Sequence, residues 1–171
     1  MQHLLAREPP VPSRVTQIPP APAADVAAHY ARRLAFETDC SDVQAAMTDG
    51  DPDFVLLDVR GPQLFAEAHV PGALNLPHGK MTARRMIEWP AGTLFVVYCA
   101  GPHCNGTDKA ALRLSQLGLP VKVMIGGLTG WVDEGYGIAH GAEPGGTAPP
   151  ACEPGTRGMA HAFATPRPSG V

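Results

Sequence analysis

The sequence lacks a long hydrophobic run, and it has no strong excess of charge of either sign. Its 171 residues include 13 basic and 16 acidic side chains, which are mixed along the chain and give a net charge of −3. A chain without a basic patch or stripe has no electrostatic footprint for nucleic acid or for an anionic membrane surface. No apolar segment approaches the roughly 18 residues that a membrane-spanning helix needs. We therefore expect no nucleic-acid partner and no membrane partner.

We also expect no secretory signal and no bound metal. The apolar run within the first ten residues is too short for a signal peptide, which predicts a cytoplasmic location. Four cysteines in a cytoplasmic protein are not expected to form a structural disulfide framework. Cys99 and Cys104 have no second pair of ligands that would complete a zinc site, so no metal is expected.

Proline is concentrated at the two ends of the chain. Of the 19 prolines, 12 lie in residues 1–22 and 141–171. Segments of this composition bury too little apolar surface to offset chain entropy, so both are expected to be disordered tails. Cys152 and His161 lie in the second tail, and we expect neither to have a function. The remaining residues, 23–140, are predicted to form one domain, a length that suits a single hydrophobic core.

Helix and strand patterns alternate between the tails. An extra N-terminal helix is predicted at about residues 24–35, and Ser41 with Gln44 forms a capping box that predicts a helix over residues 42–48. The remaining predicted elements are strands at 54–59, 73–76, 94–98 and 121–125 and helices at 62–68, 80–88 and 107–117. Strands separated by helices predict an α/β fold with an open, mostly parallel sheet and helices on both faces.

The most informative segment is LFVVYCAGPHCNGTDKAALRL, residues 94–114. An apolar strand ends at Cys99, a loop containing glycine and proline follows, and a helix begins near Thr107. Open α/β sheets bind ligands at the carboxyl edge of their strands, and the N-terminus of a helix attracts anions. The same field favours a thiolate over a thiol, so we expect Cys99 to be a nucleophile.

Three segments of the chain together resemble the rhodanese-like domains. They are LLDVRGPQLFAEAHVPGALNLP, YCAGPHC and VMIGGLTGW, which occur in the order and spacing of that family over roughly residues 41–138. The resemblance implies a five-stranded parallel sheet and a persulfide that forms on Cys99. It therefore implies a sulfurtransferase that takes sulfane sulfur from thiosulfate or a similar small donor and passes it to a thiol or cyanide without a cofactor. The sequence identifies no protein partner.

The cysteine loop departs from the pattern C-x-x-G-x-[RT]-S that is common in this family. It is about two residues longer, and it contains no basic residue except the weakly basic His103. Longer loops resemble those of the phosphatase and arsenate-reductase members, which place an arginine at the end of the loop, where this chain has Asn105, Gly106 and Thr107. The absent arginine disfavours phosphate-ester chemistry. A non-catalytic module that binds proteins or senses redox state is the other alternative.

The loop after Cys99 is expected to bind the anionic substrate. Backbone N–H groups of residues 100–106 can converge on an anion, except at Pro102, which has no N–H. Thr107 or Asn105 can cap the helix. The predicted substrate-binding residues are Ala100, Gly101, His103, Cys104, Asn105, Gly106 and Thr107.

Two of these loop residues have alternative interpretations. Cys104 is either a resolving thiol or second sulfur carrier, since the loop can bring the two Cα atoms to about 5.5 Å, or a packed cysteine without function. The reversed assignment makes Cys104 the nucleophile. His103 can steer an anion when it is protonated, although a solvent-facing histidine is the favoured interpretation.

Several polar residues outside the loop are expected to have structural roles. Asp58 and Arg60 are predicted to brace the loops at the carboxyl ends of the strands. His69 is predicted to fix a turn through a bond from its ring to the backbone, and Trp131 is predicted to pack in the core. Cys40 is expected to be inert.

A truncated chain comprising residues 23–140 should keep the melting temperature of the full chain and its rate of sulfur transfer. Tails that cannot pack contribute no contacts to the folded domain. Calorimetry and an assay of sulfite release measure the two quantities. A loss of several degrees would show that a tail docks on the domain, which would favour the protein-binding alternative.

Overall fold

The computed structural model describes residues 11–142. Predictions for the two ends of the chain, Cys152 and His161 among them, therefore fall largely outside the described residues. The strands are β1 (Glu37–Thr38), β2 (Phe54–Asp58), β3 (Leu74–Asn75), β4 (Leu94–Tyr98) and β5 (Val121–Met124). The helices are α1 (Ala23–Phe36), α2 (Cys40–Thr48), α3 (Pro62–Glu67), α4 (Ala83–Met86), α5 (Gly106–Gln116) and α6 (Gly127–Asp133). None of the helices in residues 11–142 combines the length and the apolar character that crossing a membrane requires.

The strands form one open sheet in the order β1-β5-β4-β2-β3, and every pairing between them is parallel. Strand β4 lies at the centre, where Phe54 to Asp58 of β2 pair in register with Leu94 to Tyr98. The prediction of an α/β fold with an open, five-stranded parallel sheet is thus confirmed. Because the strands are parallel, the loops that follow β2, β4 and β5 meet at one edge of the sheet.

The core has two halves, one on each face of the sheet. Side chains alternate along β4, so Val96 and Tyr98 pack on one face with residues of α2, α3 and α6, whereas Phe95, Val97 and Cys99 pack on the other with residues of α5. Helices therefore cover both faces, as predicted. The same alternation directs the side chain of Cys99 towards α5.

The predicted N-terminal helix is present as α1, but none of its residues is buried. Its apolar side chains are Val26, Tyr30, Leu34 and Phe36, and Leu34 is 71% exposed. Val26, Tyr30 and Leu34 recur at helical spacing, but the described residues leave this face exposed.

The N-terminus of α2 differs from its prediction. The helix begins at Cys40, and the side chain of Asp39 caps it by accepting a hydrogen bond of 2.8 Å from the N–H of Asp42. The predicted capping box is therefore wrong: Ser41 lies inside the first turn, and the amide of Gln44 donates to the hydroxyl of Thr48. A carboxylate two residues earlier serves as the cap, and the shift brings Cys40 into the buried first turn.

The predicted polar helix over residues 80–88 is divided in the structure. A 3-10 turn occupies His78–Lys80, and α4 follows at Ala83–Met86. The side chain of Thr82 accepts a hydrogen bond from the N–H of Arg85 and caps α4. This local bond ends the preceding turn and starts a new helix.

The chain after α6 packs against the end of α3. His69 and Ala139 form an isolated antiparallel bridge, and the N–H of Gly141 donates to the carbonyl of Ala66 over 2.8 Å. The ring of His69 donates from Nδ1 to the carbonyl of Phe65, which confirms the predicted bond between its ring and the backbone. Packing extends to Gly141, one residue beyond the boundary at 140 that the sequence predicted.

Tyr98 connects the centre of the sheet to the turn after His69. Its side chain is fully buried, and its hydroxyl accepts a hydrogen bond of 3.0 Å from the N–H of Val70. Burial, assisted by the negative charge of Asp58, raises the pKa of Tyr98 above its ordinary value. The hydroxyl is therefore neutral over the physiological range.

Replacing Tyr98 by phenylalanine should destabilise the fold by about 1–3 kcal/mol, because the buried N–H of Val70 would lose its acceptor. Urea denaturation at pH 7 measures the change in the free energy of unfolding. Tyr30→Phe is the matched control, since Tyr30 is exposed on α1. Equal stability of the two variants would contradict the assigned role of the Tyr98 hydroxyl.

Candidate active site

Cys99 occupies the position that the sequence predicted, directly after β4 and ahead of α5. It is 5% exposed and packs in the same cluster as Val59, Ala110 and Leu114. Its sulfur forms a disulfide bond with Cys104, and the two Cα atoms lie 6.2 Å apart. The structure therefore brings together the two thiols that the sequence placed in one loop. The bond closes a single loop and joins no distant elements.

Gly106, the first residue of α5, leaves room for both sulfur atoms. A Cβ atom at this position would lie 3.0 Å from the Sγ of Cys99 and 3.2 Å from the Sγ of Cys104. Such distances are shorter than ordinary van der Waals contact, so a side chain here would displace a sulfur. The sequence predicted Gly106 as a substrate-binding residue, and in the structure it provides the space in which the two sulfurs meet.

The N-terminus of α6 holds the other side of the loop. The N–H of Leu128 donates to the carbonyl of Cys99 over 3.0 Å, and Thr129 donates to the carbonyl of Ala100 from both its N–H and its hydroxyl, over 2.8 and 2.9 Å. Gly127 has a φ of +60°, and a Cβ there would lie 2.5 Å from the carbonyl oxygen of Cys99. The sequence analysis did not assign Gly127, Leu128 and Thr129 to the site. The paired glycines in GGLTGW are the one local feature that indicates a close approach of two backbones.

The remaining loop residues form an open turn in front of α5. The N–H of Cys104 donates to the carbonyl of Gly101 over 3.0 Å, and His103 is exposed. Within the described part of the chain, no protein acceptor binds the backbone N–H groups of Ala100, Gly101, His103, Asn105 and Gly106. The N–H groups of Asn105 and Gly106 lie at the start of α5, where free N–H groups favour an anion.

The predicted side-chain cap of α5 is not formed. The helix begins at Gly106, one residue before the predicted start, and Asn105 occupies the capping position without a side-chain hydrogen bond. Thr107 lies inside the first turn, where it is 8% exposed. The side chain of Asn105 accepts no hydrogen bond from the first N–H groups of α5, so these groups can bind an anion.

Asp58 and Arg60 form a buried ion pair next to the cysteine loop. The guanidinium donates to both carboxylate oxygens, over 2.5 to 3.0 Å, and to the carbonyl of Ala68 over 2.6 Å. Burial opposes the charge of Arg60, but the hydrogen bonds and charge of Asp58 outweigh it and raise the pKa of Arg60. The pair makes no hydrogen bond to residues 99–107; it borders the site through Val59, whose side chain packs beside Gly106.

Cys40 lies beneath the turn that anchors the loop. Its Sγ is 3.5 Å from the carbonyl oxygen of Ile125 and 3.6 Å from that of Gly127. Burial, and then the charge of Asp39, raises the pKa of the Cys40 thiol to about 11. A buried thiol with this pKa is protonated at neutral pH and is a poor nucleophile.

Trp131 is also buried, and its indole N–H donates to the carbonyl of Gly137, which confirms its predicted place in the core.

Comparisons with known proteins agree with the fold. The model of the rhodanese-like domain family matches residues 39–134. The HTH-type transcriptional regulator Rv0324 of Mycobacterium tuberculosis is 32% identical over 95 residues, which are 52% of this chain and 42% of that protein. The chain thus spans less than half the length of this curated relative.

Two solved structures are also similar to this chain. The BH2092 protein from Bacillus halodurans matches with a TM-score of 0.67 and 31% identity, over 70% of this chain and 87% of that one. The thiosulfate sulfurtransferase from Pseudomonas aeruginosa matches with a TM-score of 0.54 and 26% identity, over 65% of this chain and 21% of that one.

Gly106→Ala should shift the equilibrium of Cys99 and Cys104 from the disulfide towards two thiols by about tenfold, the scale of a 1–2 kcal/mol overpacking cost. The added methyl group would crowd two bonded sulfurs, whereas free thiols can rotate away from it. Alkylation and mass spectrometry in thiol–disulfide redox buffers measure the equilibrium. The matched control is Gly61→Ala, where no atom lies within 4 Å of the added carbon. Equal shifts in both variants would contradict the role of Gly106.

Proposed function

The chain belongs to the rhodanese-like domain family, and we propose that it is a sulfurtransferase in which Cys99 carries sulfane sulfur as a persulfide. The observation that carries the proposal is the position of Cys99, at the carboxyl end of the central strand and in front of the N-terminus of α5. A thiolate there gains from the field of the helix and from nearby N–H groups.

The proposed reaction has two displacement steps. In the first, the Cys99 thiolate attacks the outer sulfur of thiosulfate, the sulfur–sulfur bond of the donor breaks, and the electron pair leaves with sulfite. In the second, a thiol or cyanide attacks the terminal sulfur of the resulting persulfide, and the Cys99 thiolate departs. Neither step calls for a metal or an organic cofactor.

The loop supplies the groups that bind the anionic donor. The N–H groups of Ala100, Gly101, His103, Asn105 and Gly106 bind no protein acceptor in the described chain, so they are available to the sulfonate oxygens. Their carbonyl neighbours at Cys99 and Ala100 are held by α6, which limits rotation of the loop. Donors fixed before the reaction stabilise the negative charge of the transition state at little cost of reorganisation.

The disulfide sets a condition on the proposed activity. While Cys99 is bonded to Cys104, it has no thiolate with which to attack the donor. Sulfur transfer therefore requires that the loop is reduced first. The same bond favours a second candidate, a module that senses redox state without catalysing a reaction.

The phosphatase alternative is weaker because of the chemistry of the loop. Residues 99–107 contain no lysine or arginine, and the positions expected to hold an arginine are Asn105, Gly106 and Thr107. The guanidinium of Arg60 is occupied by Asp58 and by the carbonyl of Ala68. A phosphate ester would therefore lack the bidentate cation that its transition state favours.

Cys99→Ser should abolish sulfite release from thiosulfate by the reduced protein, because a hydroxyl is a far weaker nucleophile than a thiolate at neutral pH. Cys104→Ser should keep the rate of this first step within about tenfold, a barrier change of roughly 1.4 kcal/mol or less. Sulfite assays and intact-mass measurements of the added sulfur atom give both results.

Three outcomes would contradict the assignment. Persulfide on Cys104 of the Cys99→Ser variant, with activity retained, would make Cys104 the nucleophile. Hydrolysis of aryl phosphates that depends on Cys99 would favour a phosphatase. A reduced parent protein that releases no sulfite would favour the redox-sensing module.

A further inference from the structure

The loop places a second sulfur within bonding reach of the proposed sulfur carrier. Cys104 is bonded to Cys99 in the structure, so the backbone of residues 99–104 can bring one sulfur onto the other without rearrangement of β4 or α5. The turn closed by the N–H of Cys104 and the carbonyl of Gly101 holds this shape, and Gly106 provides the space. The function proposed above uses only one of the two sulfurs.

We propose that Cys104 cleaves the persulfide of Cys99 and releases hydrosulfide, so that the protein also reduces sulfane sulfur to sulfide. This activity rests on the proposed function, which loads Cys99, and it assigns a chemical role to the second cysteine.

The cleavage is a balanced thiol–disulfide exchange. The Cys104 thiolate attacks the inner sulfur of the Cys99 persulfide, the bond between the inner and terminal sulfurs breaks, and the terminal sulfur leaves with the electron pair as hydrosulfide. Relative to the two thiols, the sulfurs of Cys99 and Cys104 each lose one electron on forming the disulfide, and these two electrons reduce the sulfane sulfur to hydrosulfide. The products are one hydrosulfide ion and the disulfide that the structure contains.

Burial favours the internal thiol over an external one. Cys99 is 5% exposed, so the inner sulfur of its persulfide is shielded from thiols in solution. Cys104 lies in the same loop and packs in the same cluster. Because its attack is intramolecular, its effective concentration exceeds that of a free thiol by a large factor.

Regeneration needs an external dithiol. Cys104 is only partly buried, whereas Cys99 is buried, so an incoming thiolate reaches the sulfur of Cys104 first. The resulting mixed disulfide on Cys104 expels Cys99 as the thiolate, and the second thiol of the reductant then frees Cys104. Each turnover oxidises one dithiol to its disulfide and returns both cysteines to the reduced state.

The test is a single turnover without external thiol. The protein carries Cys152→Ser, which removes a cysteine outside the described residues, and it is reduced, desalted and mixed with thiosulfate. We expect the parent to release sulfite and hydrosulfide in equal amounts and to end as the Cys99–Cys104 disulfide in non-reducing peptide maps. The added variant Cys104→Ser should release sulfite once, produce no hydrosulfide and retain a persulfide on Cys99.

A parent protein that releases sulfite but keeps a persulfide on Cys99 beside a free Cys104 would overturn the inference and leave the proposed function intact. Absence of sulfite from both proteins would overturn the proposed function. In that case Cys99 is loaded with inorganic polysulfide and desalted before the same measurement. Hydrosulfide and disulfide in the parent, but not in Cys104→Ser, would support the cleavage step; their absence would overturn it.

Discussion

The parallel pairing of β4 with β2 and β5 is the constraint on which the site depends. It buries the apolar run that precedes Cys99 on both faces of the sheet, and it brings the loops after three strands to one edge. The alternation of side chains then directs Tyr98 towards one half of the core and Cys99 towards α5. A change of one residue in register would exchange these two faces and remove the nucleophile from the helix terminus.

Two glycines allow the cysteine loop to lie close to the helices on either side of it. Gly127 lets the backbone of α6 approach the carbonyl of Cys99, and Gly106 lets two sulfurs lie against the first turn of α5. Neither glycine has a side chain that could take part in chemistry. Their contribution is to remove volume at the two places where the loop contacts the helices on either side of it.

Most of the fold was predictable from the sequence because its elements are marked by local patterns. The apolar runs of β2 and β4 and the periodicity of α5 identified these elements to within a residue or two. The predictions failed where two local signals competed. Asp39 caps α2 in place of Ser41, and Thr82 divides the segment that had been expected to form one helix. Both caps are local bonds between residues three positions apart, and the pattern of apolar residues does not rank the polar side chains that can form them.

The sequence by itself determined the class of fold, the family and the position of Cys99 at a strand–helix junction, since each depends on residues that are neighbours along the chain. Only the tertiary structure decided what lies against that cysteine. Thr129 and Leu128 contact the loop from a segment almost 30 residues away, and the burial of Cys40 and the space at Gly106 depend on how α2, α5 and α6 pack. Local periodicity carries no information on such distances, because they arise from packing between elements that the chain brings together only on folding.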